Sequence, residues 1–165
     1  MKLSFGFALV LLAALAAGQP AYAACSDTPA PGLNWGRCYF DEQNLSSIDL
    51  SGAHLREARF NRTDLSQANL SGADARRAKF VSADLTGAQL DGADLRETDF
   101  TRAKLDHAQF AGADLRRARF FGANMRGANL TDARLELSDF LKADLTDAVW
   151  SDGRRCGPQS IGLCR

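Results

Sequence analysis

Histidine, cysteine, acidic and arginine side chains are the groups through which this sequence could do chemistry, and their spacing limits what that chemistry is. The two histidines, His54 and His107, lie far apart, and neither belongs to an H-E-x-x-H zinc motif. The chain also lacks a G-x-S-x-G nucleophile elbow, a P-loop and a Gly-rich dinucleotide turn, so no catalytic residues, metal ligands or cofactor site are assigned and the protein is expected not to be an enzyme. Cys25, Cys38, Cys156 and Cys164 form an even set with no C-x-x-C spacing and no nearby His pair. Such a set points to structural disulfides in an oxidising compartment rather than to redox or zinc chemistry. Of the three possible pairings, Cys25 with Cys38 and Cys156 with Cys164 is favoured, because the intervening chain should hold the two ends apart. Basic and acidic groups balance, 20 Lys+Arg against 20 Asp+Glu, and 45% of the 165 residues are hydrophobic. That composition excludes a disordered chain, collagen, a polytopic membrane protein and a strongly basic nucleic-acid binder.

The remaining candidates depend on a repeat. From Phe40 to Trp150 a bulky apolar residue occupies every fifth position, Leu or Phe except at Ala75, Met125 and Trp150. Two residues before each centre stands a small residue, most often Ala. A helix advancing about 100° per residue would scatter these centres around its surface, and a continuous strand would send them to alternate faces. A chain extended through the small residue and the centre, then turning a corner through polar residues, satisfies the spacing. Four such sides close a square coil of 20 residues. Phe40, Phe60, Phe80, Phe100, Phe120 and Phe140 then stack on one wall, a core column that supports the 20-residue layer. Repetition at this period means a solenoid of about six coils, with successive coils about 4.8 Å apart.

The units Ala68-Asn69-Leu70-Ser71-Gly72, Ala83-Asp84-Leu85-Thr86-Gly87, Ala93-Asp94-Leu95-Arg96-Glu97 and Ala113-Asp114-Leu115-Arg116-Arg117 resemble the pentapeptide repeat family. The resemblance implies an all-β fold, a right-handed quadrilateral β-helix, over residues 40–150. Residues 24–39 and 151–165 break the period, hold all four cysteines and are expected to cap the ends.

On this coil the histidines fall on different walls and between two and three coils apart, too far to share a metal or proton. Asp and Asn before the centres (Asp64, Asn69, Asp74, Asp84, Asp94, Asp114, Asn124, Asn129, Asp144) lack the spacing of calcium-binding β-rolls and suit turns. Arg56, Arg76, Arg96 and Arg116 form an outward ladder flanked by Asp74, Asp94, Asp114 on one side and Glu57, Arg77, Glu97, Arg117 on the other. This ladder is either a self-neutralised solvated face or a grip for a polyanion or acidic partner. Phe121, Leu137 and Leu141, with Val81 below, make an outward apolar patch, incidental or an interface for a partner or a homodimer.

Residues 1–23 read as a secretory signal: Lys2, an uncharged apolar run from Leu3 to Ala17, and Ala21-Tyr22-Ala23 as the cleavage site. Export to a periplasmic or extracellular space is expected, with no integral span in the mature form. Lipidation at Cys25 is the alternative, although Tyr22 stands where a lipoprotein signal wants Leu. The functional expectation is a non-catalytic binding or scaffold module of the cell envelope, facing a protein or anionic envelope component and not nucleic acid. The alternative that the family resemblance raises is a DNA-mimicking binder of topoisomerase. Export and a near-zero net charge, together with the Arg-lined wall, weigh against it. An ice- or crystal-binding surface is disfavoured because Thr86, Thr101, Thr131 and Thr146 complete no outward column.

Overall fold

The structure is a computed structural model that describes residues 25–165. The signal segment 1–23 lies outside the described residues. Within them, single parallel β-bridges join residue i to residue i+20 in unbroken succession, Asn34 to His54 and Tyr39 to Arg59 through Asn129 to Val149. Each bridge residue lies between an inward small residue and an inward centre, so a side holds only about three extended residues before the next corner. For that reason the walls consist of isolated bridges rather than strands, and the ladder is built across coils instead of along them.

Each corner is a turn closed by a backbone bond such as Ala53 N–H to Leu50 C=O (3.1 Å). Its third residue has φ near +60°, whether Gly (Gly52, Gly72) or not (Glu57, Arg77, His107), while the second does not. This is the signature of a type II turn. Two further N–H groups per side reach the next coil, as Leu45 N–H to Asp64 C=O (2.7 Å) and Ser47 N–H to Ser66 C=O (2.8 Å). One more reaches back, as Asp64 N–H to Gln43 C=O (2.9 Å). The fifth N–H of the side is left for a side chain.

Asp and Asn before the centres supply that acceptor. Asn69 Oδ1 accepts from Ser71 N–H (3.1 Å), Asp84 Oδ1 from Thr86 N–H (3.1 Å) and Asp144 Oδ1 from Thr146 N–H (3.0 Å). Where the position is Arg59, Lys79 or Gln109, an Asx side chain from the coil below takes over. Asp41 accepts from Asn61 N–H, Asn61 from Val81 N–H and Asp91 from Ala111 N–H. These Asp and Asn residues thus serve the turns, as their sequence positions suggest, and satisfy the backbone N–H groups they meet.

The interior follows the sequence register. The small and central residues from Leu50 to Leu130 are essentially fully buried. The six phenylalanines stack with ring centroids 4.9–5.2 Å apart and planes 3–14° from parallel. Phe110 meets Phe100 and Phe120 edge-on from another wall, at 6.1 and 6.2 Å. Where a small position carries a hydroxyl, the group bonds to a carbonyl of the coil below: Thr63 Oγ1 to Phe40 C=O (2.7 Å) and Thr98 Oγ1 to Ala75 C=O (2.9 Å).

The coil starts earlier than residue 40. Trp35 sits five residues before Phe40, is buried, and packs against Phe40 with ring centroids 4.2 Å apart and planes tilted by 38°, while Asn34 and Tyr39 are already bridged. Thus part of the 24–39 segment belongs to the lattice. Disulfides join Cys25 to Cys38 (Cα–Cα 5.5 Å) and Cys156 to Cys164 (4.8 Å). At the other end the chain reverses, and Arg155 and Ile161 bridge Val149 and Asp144 antiparallel.

Because Ala88 is wholly enclosed, Ala88→Leu is expected to overpack a layer and cost about 1–3 kcal/mol. A urea-denaturation midpoint unchanged from the parent would count against this packing.

Candidate functional site

The arginine ladder lies on the wall whose centres are Leu55, Ala75, Leu95 and Leu115, just past each centre. Its geometry is a zipper of forks. Arg76 donates Nε to Asp74 Oδ1 (2.8 Å) and Nη2 to Asp74 Oδ2 (2.7 Å). Arg96 repeats this with Asp94 (2.8 and 2.7 Å), and Arg116 with Asp114 (2.8 and 2.6 Å). Each Asp also caps the N–H of its arginine, at 3.3–3.5 Å. Between coils the pairs are linked, Arg76 to Asp94 at 3.3 Å and Arg96 to Asp114 at 3.7 Å, with Arg56 at 3.9 Å from Asp74.

A shallow groove runs along this face, lined by Arg56, Arg76 and Arg96 on one side and Glu57, Arg77 and Glu97 on the other. Its second row is paired across coils, Arg37 with Glu57 and Arg77 with Glu97, both at 3.0 Å. The groove continues past Arg116 and Arg117 to Glu136 and Leu137. Planar bidentate forks hold the guanidiniums in fixed orientations, while two of the five donors on each are committed to its own Asp. The arrangement offers a partner a rigid alternation of charge rather than a row of unpaired cations.

These contacts also act on protonation. The Arg76 fork holds Asp74 below the ordinary carboxylate range against the opposing effect of burial, and Arg116 does the same for Asp114. Arg76, Arg96 and Arg116 are pushed the other way, first by their hydrogen-bonded Asp. On the opposite wall burial raises Asp84 and Asp144, but hydrogen bonds from Thr86 and Lys104, and from Thr146 and Arg126, outweigh it and leave both lowered.

The other residues singled out by sequence are placed separately. His54 and His107 are exposed and on different walls, and the His107 ring covers Gly127, where a Cβ would lie 2.6 Å from it. Among the described residues no group of His, Cys, Asp and Glu is placed to hold a metal ion, and no helix is long and apolar enough to cross a membrane. Leu137 and Leu141 are strongly exposed, and Phe121 is half-buried beneath Lys142, whose Nζ lies 5.3 Å from its ring centroid. Sequence reasoning allowed a self-neutralised face here but did not give the bidentate Arg–Asp forks. Their signal was present as D-x-R at 74–76, 94–96 and 114–116, a spacing that places both side chains on the same outward side.

Short sides, positive-φ corners and 20-residue bridging define a repeat solenoid of the β-helix class that carries surface chemistry on its walls. The model of the family described as pentapeptide repeats matches the chain in 8 copies, over residues 36–72, 44–87, 83–120 and 113–149. The chain belongs to this family, whose members form right-handed quadrilateral β-helices and are generally non-catalytic structural or binding proteins. Among solved structures it is similar to a pentapeptide repeat protein from the Arabidopsis thaliana thylakoid lumen, at 36% identity over 67% of this chain and 70% of that one (TM-score 0.43). It is also similar to Rfr23 from the cyanobacterium Cyanothece 51142, at 23% identity over 73% and 89% (TM-score 0.34). A third is trypsin-treated QnrB1, a plasmid-mediated fluoroquinolone resistance protein, at 21% identity over 74% and 76% (TM-score 0.39). No curated protein matches the chain.

Asp74 and Asp114 have folded-state pKa values below their unfolded value near 3.8. Their contribution is therefore complete above about pH 4 and disappears as pH falls through the lower folded values. Stability should drop on acidification from pH 5 to pH 2. Asp74→Asn with Asp114→Asn, which keeps the turn-capping oxygen but removes the charge, should cost roughly 0.2–1 kcal/mol per pair at pH 7 and reduce the acid dependence. Thermal melts across that pH range would show an unreduced slope if the forks contributed nothing.

Proposed function

We propose that the protein is an exported, non-catalytic scaffold of about six coils that binds a protein or an anionic envelope component through its arginine wall. The observation that carries this reading is the zipper itself. Arg76, Arg96 and Arg116 are immobilised in register by their own aspartates and side by side along a groove. Binding to such a face costs little side-chain ordering, which is where exposed arginines normally lose affinity. The alternating signs favour a partner with its own alternating charges and give register as well as attraction.

Several features support export. The leader pattern in residues 1–23 would be removed after Ala23, and both disulfides close short loops suited to an oxidising space. Pairing of Cys25 with Cys38 leaves no thiol at Cys25 for acylation, which favours the soluble form over the lipid-anchored one. The balanced charge fits a DNA mimic poorly, since such a surface must reproduce a duplex's dense negative charge.

In low salt the mature protein is expected to be retained on immobilised heparin, used as a polyanion probe, or to form cross-links with envelope proteins through the groove. Arg76→Ala with Arg96→Ala should abolish both while leaving the fold intact. Unchanged retention and cross-linking in that double variant would reject the arginine wall as the binding face. Intact mass of protein from its native fraction tests the export reading. The expected species runs from Ala24 to Arg165 with no free thiol, and a retained leader would overturn it.

A further inference from the structure

The groove along the arginine wall is not uniform from end to end. Its middle section, between Arg56 and Glu97, encloses about 150 Å³, and it opens to about 490 Å³ where it passes Arg117 to Glu136 and Leu137. The amino-terminal end, beside Arg37 and His54, is as wide (about 560 Å³) but is lined by polar residues and glycine alone. In the corner row the charges run Arg37, Glu57, Arg77, Glu97, Arg117, and they pair two by two from the amino-terminal side, Arg37 with Glu57 and Arg77 with Glu97, both at 3.0 Å. An odd number of charges leaves one over, and it is Arg117. Its guanidinium is exposed and makes no ion pair or side-chain hydrogen bond among the described residues. Glu136, one rung above Arg116, is also exposed with no cation at ion-pair distance, and it acts on Arg116 only through space.

Leu137 ends the same row. It is 79% exposed with φ of 63°, and among the described residues it is the one apolar side chain held at a left-handed corner. The conformation disfavours a bulky residue, and exposure to water disfavours an apolar one. The interior requires neither, since equivalent corners carry Gly52, Gly72 and Gly92, or Glu57 and Glu97, on the same turn. Such an outlier points to work at the surface. Three features therefore coincide within one rung, about 4.8 Å, at the open end of the groove: an unpaired cation, an unpaired anion and an exposed apolar side chain.

We infer that this section of the groove anchors a protein partner through an extended segment in which an apolar residue stands between an acidic and a basic one. The inference rests on the arginine wall as the binding face and narrows its partner from a protein or an anionic component to a protein. Leu137 takes the apolar side chain as the anchor, Arg117 takes the carboxylate, and Glu136 takes the ammonium or guanidinium. An extended chain places alternate residues on one face about 6.6 Å apart, within reach of long side chains from adjacent rungs. Both charges on the groove are free, so pairing breaks no existing contact, whereas Arg76, Arg96 and Arg116 are already closed on their own aspartates. Glu136 repels a uniformly anionic chain here and Arg117 a uniformly cationic one, so selection works by exclusion as well as attraction.

The test uses the mature, disulfide-intact protein and three synthetic peptides, acetylated and amidated at their ends: Glu-Ser-Leu-Ser-Lys, Glu-Ser-Leu-Ser-Glu and Lys-Ser-Leu-Ser-Lys. Amide shifts at Arg117, Glu136 and Leu137 are followed by NMR between about 0.05 and 5 mM peptide, a range suited to weak contacts. The mixed peptide is expected to bind about tenfold more tightly than either like-charged one, and replacing its Leu by Ser should weaken it by about the same factor. Arg117→Glu, at a corner where Glu57 and Glu97 are already accommodated, should transfer the preference to Lys-Ser-Leu-Ser-Lys, a gain that loss of folding does not imitate. Leu137→Gly should weaken the mixed peptide about tenfold without lowering the thermal midpoint. Equal binding of the three peptides or an unchanged preference in Arg117→Glu would overturn the inference. Shifts at Leu137 that follow protein concentration without peptide would overturn it too, by placing a second copy over the groove. Heparin retention that persists beside such a result leaves the arginine wall standing and strikes only its anchored end.

Discussion

Everything in this molecule depends on residue i meeting residue i+20. Each side is too short to be a strand by itself, so the backbone is satisfied almost wholly between coils rather than within them. Of the five N–H groups in a side, three bond to adjacent coils, one closes the corner, and in most sides one is left to an Asp or Asn side chain. A shift of one residue would turn the inward residues outward and separate every such acceptor from its donor at once. The fold is therefore held in register by several independent interactions that fail together, which is the cooperativity expected of stacked repeats.

That redundancy explains what could be recognised in the sequence. The five-residue period, the phenylalanine column and the small residues beside the centres are consequences of filling a narrow interior, and volume is written directly in residue type. The start of the lattice was less visible because Trp35 is followed by Cys38 and Tyr39, which do not look like a repeat unit. Yet Trp35 lies in register five residues before Phe40 and closes the aromatic column from below, as Trp150 meets Phe140 from above. The forks of the arginine ladder were hidden for a different reason. Sequence placed Arg76 and Asp74 on one wall but did not say whether the guanidinium extends toward solvent or folds back onto its neighbour.

The same Asp residues show how structure and surface chemistry are coupled here. Asp94 caps the N–H of Arg96 and also forks the guanidinium of that residue, so the interaction that shapes the corner also aims the side chain outward from it. A wall can vary in charge without disturbing the interior as long as an acceptor remains. On the Phe wall, where Arg59 and Lys79 replace the usual Asx, the acceptor moves to Asp41 and Asn61 one coil below. Function on such a scaffold is thus a choice of outward residues, with most corners keeping an Asp or Asn acceptor.

The ends are the places where the constraint cannot be met internally, because a terminal coil has a neighbour on one side only. Both disulfides fall there. Cys38 occupies a small inward position and ties the preceding segment to the first coil, while Cys156 to Cys164 closes the loop that covers the last. A covalent loop of this size restricts the unfolded chain by very roughly 2–3 kcal/mol. The bridge at the carboxy-terminal end nevertheless spans only a short segment, enough to cover two walls of four.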